Sequence, residues 1–311
     1  MRKTFVLCCS IALLGTAETA DAQDWDQIEM GPERRDRRRQ LHDAGSRRQS
    51  GIADQDRKDL RARHSRRFQD AGLPAARIQD HDRATGPGRH TGLGPNKATY
   101  NDDIIEGWVG VGTQLDGLGH LGVEHVYYNG NKLLDFADPT GLKKLGIEKI
   151  PPMVTRGVLL DMAAYYNTDI VKEGTAFNVK EIEEAAKKQG VEIRQGDVVI
   201  FHTGWLSLIG KDDKRYSAGE PGVGVEGAKY LTGKGVVAVG ADTWGVEVVP
   251  FESKNLFEVH QILLAMNGTY ILENIDTAEL AKDKGYEFLF VLGQPRFKGG
   301  VQSMINPVAI R

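Results

Sequence analysis

The chain has 311 residues, 40% of them hydrophobic, and a formal net charge of -3 at pH 7. That length and apolar share suffice for a real core in one large domain or two small ones. The near-neutral balance argues against nucleic acid and against an anionic membrane surface, and leaves a small molecule as the expected partner.

Met1, Arg2 and Lys3 lead into an apolar run over residues 4–17, and Ala20 and Ala22 supply small residues at the spacing a signal peptidase needs. The spacing predicts a secretory signal over residues 1–22, cleaved after Ala22, and a periplasmic or secreted mature protein. No later stretch approaches the roughly 20 apolar residues that spanning a bilayer requires, so no membrane association is expected after cleavage. Cys8 and Cys9 both lie inside the signal. The mature chain therefore has no thiol, and any metal must sit on His, Asp, Glu or amide oxygen.

Composition changes in residues 23–90. The run "ERRDRRRQLHDAGSRRQSGIADQDRKDLRARHSRRFQDAGLPAARIQDHDRATGPGR" is dense in arginine, with Phe68 as its one aromatic and Lys58 as its one lysine. Three readings fit: a disordered basic arm, a solvated helical segment, or a stretch translated out of frame, since arginine-rich text without aliphatic periodicity is what a GC-rich gene gives in the wrong frame. No functional role is assigned there. From residue 91 to 311 lysine replaces arginine as the main cation and apolar periodicity becomes readable.

In that part, residues 104–116 read as strand, and "VTRGVLLDMAAYY" as strand ending in a buried turn. "VKEIEEAAKKQG" is an amphipathic helix stopped by Gly190. "GDVVIFHTGW" reads as a buried strand, "VEGAKYLTGKG" as a helix with a glycine end, and "VVAVGAD" as a second buried strand. "NLFEVHQILLAMNG" is a helix with Gly268 at its end, "TYILENI" a third strand, and "YEFLFVLGQPRF" a last β segment. Such alternation predicts an α/β domain with its chemistry at strand ends and the loops that follow.

The stretch "VGTQLDGLGHLG" carries the chemistry. In an extended strand Gly110, Gly112, Gln114 and Asp116 share one face, with Val109, Val111, Thr113 and Leu115 on the other. Gly117 and Gly119 let the chain bend and bring His120 back towards Asp116. Spacing alone fits either a cation site or a glycine-rich turn whose Asp caps backbone amides. His260, on the helix, and Glu273, at the end of the next strand, can converge on the same end of the sheet. His260 alone fits a satisfied helix histidine equally well.

The motifs "GTQLDGLGH", "FHTGW", "GADTWGVEVVP" and "HQILLAMNGTYILENI", together and in this order, resemble the metal-dependent cyclase-like hydrolases, the family of bacterial kynurenine formamidase and isatin hydrolase. The resemblance runs from about Asn96 to the C-terminus. It implies an α/β cyclase-like domain, with a mixed sheet or barrel-like core flanked by helices, and a homo-oligomer. It implies a divalent cation, zinc or manganese, held by Asp116, His260 and Glu273, with Gln114 adding a carbonyl oxygen. His120 matches the family's proton shuttle. Gly110 and Gln114 stand where that family has two imidazoles, which leaves a harder, oxygen-rich set that favours manganese or a single zinc over a zinc pair. His125 is expected at the surface and His202 in a core or pocket wall; Trp205 and Trp244 fit aromatic walls for a planar substrate or core packing.

A bound cation can lower the pKa of water and polarise an acyl carbonyl, while an imidazole titrating near neutrality can carry the proton to the leaving nitrogen or oxygen. The expected activity is hydrolysis of a carbon-nitrogen bond in an amide or cyclic amide. Arylformamidase-like action, of the N-formylkynurenine to kynurenine type, is its most recognisable form. The alternatives are a cyclic amide or lactone hydrolase of the isatin hydrolase type and a catalytically inactive exported binding protein.

Overall fold

The structure, a computed structural model, describes residues 104–311 together with the short pieces 60–61, 77–79 and 95–96. The expected signal over residues 1–22 and most of the arginine-rich segment lie outside the described residues. No helix among those described is long and apolar enough to cross a membrane.

One mixed sheet organises the chain. Its strands are β1 (Leu60–Arg61), β2 (Gln114–Asp116), β3 (Met153–Asp161), β4 (Val198–His202), β5 (Ala238–Ala241), β6 (Tyr270–Glu273), β7 (Glu287–Leu292), β8 (Gln302–Met304) and β9 (Val308–Ile310). Across the sheet they run in the order β1-β9-β7-β3-β4-β5-β6-β2-β8. The four strands β3 to β6 are parallel, and every other pairing is antiparallel. This is the α/β architecture that the alternation of elements predicts.

The parallel strands are near-continuous apolar runs because both their faces are covered. One face carries Val199, Phe201, Val239, Ala241 and Ile271. On that face pack α1 (Val179–Gln189) through Ile182 and Ala185, and α3 (Val225–Lys234) through Ala228 and Leu231. The other face carries Leu115, Val198, Ile200 and Leu272 against Phe288 and Phe290. Each fully buried valine, leucine, isoleucine or phenylalanine among them contributes about 1.5–3 kcal/mol by leaving water.

Local sequence sets the helix ends. Asn178 and Glu181 form a capping box at the start of α1, and Gly190 ends it in the left-handed region at φ 71°. Asp212 caps the short α2 (Asp213–Ala218) by accepting from the Arg215 amide. The helix expected around His260 begins as α4 (Glu258–His260) and continues with π-type hydrogen bonding over Gln261–Met266. Gly268, at φ 62°, follows its end. "VTRGVLLDMAAYY" is the long strand β3, closed by a helical turn at Met162–Tyr166 that Asp161 caps.

Residues 104–116 are a correction. Strand occurs at Ile104–Glu106 and again at Gln114–Asp116, with bends between them. Gly112 sits at φ 73°, open to glycine and costly for other residues, and its carbonyl accepts from the Asn274 side chain at 3.2 Å. The period-2 argument therefore applies to Gln114 and Asp116 but does not extend back to Gly110 and Gly112.

Candidate metal centre

Pairing of β2 with its two neighbours builds the site. Glu273 lies opposite Gln114 across β6, and Gln302 lies opposite Asp116 across β8. Directly paired residues share a face, as do residues two apart on one strand. Gln114, Asp116, Glu273 and Gln302 thus project together, on the face that also carries Ile271. His260 reaches the same place from α4.

The result is a buried group in which Asp116, His260 and Glu273 each offer a ligand atom, all within 4.8 Å of one another. Asp116 is buried, and its Oδ2 has no hydrogen-bond partner. A buried, unpaired carboxylate oxygen is costly. Among the described residues, the ion-pair partners of Asp116 and Glu273 are histidines alone: His120 Nε2 is 3.8 Å from Asp116 Oδ2, and His260 Nε2 is 3.5 Å from Glu273 Oε1. The orphaned oxygen, the two carboxyl groups and the imidazole donor together fit a divalent cation.

Glu247 completes the arrangement around His260. Its Oε2 accepts from His260 Nδ1 at 2.8 Å, and its two oxygens accept the backbone N–H groups of Val259 (3.0 Å) and His260 (3.3 Å). With Nδ1 committed as donor, Nε2 faces the carboxylates and, once deprotonated, presents its lone pair to a cation. Burial opposes the charged ring of His260, yet hydrogen bonds to Glu247 and Glu273 outweigh it and raise the pKa to about 10. Burial, reinforced by the charge of Asp116, raises Glu273 to about 8. Without a cation the site holds extra protons.

Gln114 stands between the two carboxylates. Its Nε2 donates to Glu273 Oε2 at 2.7 Å and to Asp116 Oδ1 at 3.3 Å. The nitrogen, not the carbonyl oxygen expected to join the ligands, faces them; half a turn of the amide exchanges the two.

His120 returns to Asp116 through a turn closed by its own N–H to the Gly117 carbonyl at 3.0 Å. Its side chain is 28% exposed, against 1% for Asp116, so it forms the open side of the group. Burial holds its pKa below the ordinary histidine value; Asp116 opposes this and His260 adds to it. At neutral pH the ring is neutral and able to accept a proton.

The remaining candidates fall elsewhere. His125 is exposed, at φ 65°. His202 ends β4 on the face of Val198 and Ile200, opposite to that of Glu273. There its Nδ1 lies 2.7 Å from Thr277 Oγ1 and 3.3 Å from Asp242 Oδ2. Trp205 is fully buried and Trp244 partly so, in one cluster with Leu206, Leu208 and Tyr216. Both indoles donate to the Tyr216 carbonyl, at 3.3 and 2.9 Å. Of the two, only Trp244 keeps exposed surface.

A Cyclase family model matches residues 59–248, more than half of the chain. The protein belongs to the cyclase family. The match begins inside the arginine-rich segment, earlier than the motif resemblance from Asn96, and includes Asp116 and His120. Among solved structures, this cyclase-family chain is similar to one described as a novel cyclase, with a TM-score of 0.69 and 24% identity over 91% of this chain and 92% of that one. It is similar also to isatin hydrolase A from Ralstonia solanacearum, at TM-score 0.53 and 18% identity over 68% and 75% of the two chains. An isatin hydrolase bound to the product analogue thioisatinate gives TM-score 0.53 and 16% identity over 71% and 79%. At these identities the likeness is one of fold. No curated protein matches the sequence.

Proposed function

We propose that this cyclase-family protein is an exported metal-dependent hydrolase that cleaves a carbon-nitrogen bond in a small amide or cyclic amide, with arylformamidase-like chemistry as the leading form. The observation that carries the reading is the convergence of Asp116, His260 and Glu273 within 4.8 Å, with Asp116 Oδ2 unpaired. Asp116, His260 and Glu273 would hold the cation, zinc or manganese. When bound, it supplies Lewis acidity towards the acyl carbonyl and lowers the pKa of water.

The chain's own residues supply the rest. Glu247 fixes the ring of His260 so that Nε2 is presented to the ligand group. Neutral His120, on the open side beside Asp116, takes a proton at its unprotonated ring nitrogen and returns it to the leaving nitrogen. Trp244 offers an apolar face for a planar substrate. Isatin hydrolases share the fold, which makes a cyclic amide or lactone the second substrate class. Gly110 and Gln114, where imidazoles would stand, favour the third reading, an inactive binding protein. Export rests on residues 1–22, and a homo-oligomer on the family resemblance.

The test is to load the purified protein with Mn²⁺ or Zn²⁺, measure bound metal, and assay hydrolysis of a formylated arylamine, a cyclic amide and a lactone. Turnover abolished by chelation and by Asp116→Asn is expected. Stoichiometric metal with no turnover on any of the three would point to the binding protein.

A further inference from the structure

Gln302 is absent from every sequence motif singled out above, yet it touches both halves of the site. It lies on β8, paired with Asp116, and is 5% exposed. Its Nε2 donates to Asp116 Oδ1 at 2.8 Å and lies 3.4 Å from His120 Nε2. A primary amide has two hydrogens to give, and these two partners use both. The amide sits in space that a side chain at position 110 would need: a Cβ added to Gly110 would lie 2.7 Å from Gln302 Oε1. A side chain at Gly110 would therefore push on the flexible end of Gln302.

We propose that Gln302 is a positioning residue that couples the metal carboxylate to the proton carrier. By taking Asp116 Oδ1 it leaves Oδ2, the unpaired oxygen, as the ligand atom. By donating to His120 Nε2 it selects the ring form in which that nitrogen is an acceptor. The inference rests on the metal-centre reading and deepens it: the ligand group is set from the β8 edge as well as from α4.

Mn²⁺ affinity by calorimetry, with circular dichroism confirming the fold, tests this on wild type, Gln302→Met, Gly110→Ala and the double variant. Methionine keeps the length of the side chain and removes its donor. Outer partners of metal ligands are worth about 10–100-fold in affinity, so Gln302→Met is expected to bind Mn²⁺ at least about tenfold more weakly. Gly110→Ala displaces the flexible amide and should give a similar loss. The double variant should be no weaker than either single one, because both substitutions remove the same contact. Unchanged affinity in Gln302→Met, or losses that multiply in the double variant, would overturn the proposal while leaving the metal centre intact. Wild type that takes up neither Mn²⁺ nor Zn²⁺ would remove the metal centre and the role of Gln302 with it. A separate measurement uses metal-free protein: the side-chain amide protons of Gln302 should exchange slowly with solvent in wild type and rapidly in Gly110→Ala. Rapid exchange in wild type would overturn the proposed contact whatever the metal does.

Discussion

His260 gives its Nδ1 hydrogen to Glu247 at 2.8 Å, and the same carboxylate collects the backbone amides of Val259 and His260. One buried acid thus fixes the tautomer, the ring plane and the start of α4 together. Glu247→Gln keeps the size but lets the side-chain nitrogen face those donors. Metal affinity is expected to fall about 10–100-fold, read by calorimetric titration with Mn²⁺. An unchanged binding constant would show that His260 does not need this carboxylate to present Nε2.

His120 is the one polar group of the site with substantial exposure, and burial keeps its pKa below 6.5. Removing it should lower kcat by about 10²–10⁴-fold, the usual worth of a positioned acid-base group, with metal content unchanged. The neutral ring is the form that accepts a proton. Activity should therefore hold through neutrality and fall on the acid side, below pH 6.5. A pH profile of kcat on a formylated arylamine checks this, and an acid limb that persists in His120→Ala would assign it to another group.

The grouping of Asp116 with His260 and Glu273 follows from the family resemblance, since spacing alone fits a glycine-rich turn equally well. Asp116 and His120 lie four residues apart, joined by glycines that allow the turn, and Glu273 ends a strand with an apolar period. The strand pairing that brings Gln114 opposite Glu273 depends on the order of strands in the sheet, which local periodicity does not encode. Gln302 is 186 residues from Asp116 and sits on a three-residue edge strand, too short to show a period. Glu247 lay within a quoted motif, but an acid thirteen residues before a histidine obeys no spacing rule. The overlong strand at 104–116 arose because Gly112 fits the alternation as written while adopting a backbone that breaks it.

The same geometry gives a pH-dependent stability to the metal-free protein. Glu273 has a folded-state pKa of about 8, above its ordinary 4.5, so its contribution is full below pH 4.5 and is lost as pH rises through about 8. His260, raised from 6.5 to about 10, contributes fully below pH 6.5 and loses that contribution as pH rises through about 10. Both act in one direction, and the metal-free form should become less stable from mildly acidic to alkaline pH. Cation binding needs the deprotonated carboxylate and the neutral ring, so its stabilisation should grow across the same range. Thermal unfolding with and without a chelator, at about pH 5 and about pH 9, reads both effects. A gap in Tm that narrows at the higher pH would contradict the assignment of Glu273 and His260 as ligands.

The two tryptophans separate packing from recognition. Trp205 has no exposed surface, lies between Leu206, Leu208 and Tyr216, and has the Arg215 guanidinium 5.0 Å from its ring. Truncation to alanine leaves a large cavity that this cluster cannot close, and should cost about 3–5 kcal/mol of stability. Trp244 is partly exposed, and its backbone N–H, which alanine retains, donates to Glu220 at 2.7 Å. Trp244→Ala should therefore be the milder change in stability and the larger one in substrate affinity, raising KM with kcat less affected. Urea unfolding and steady-state kinetics on both variants check the contrast. If Trp244→Ala leaves KM unchanged while unfolding as readily as Trp205→Ala, both indoles belong to the core, and the wall for a planar substrate must come from other residues around His120.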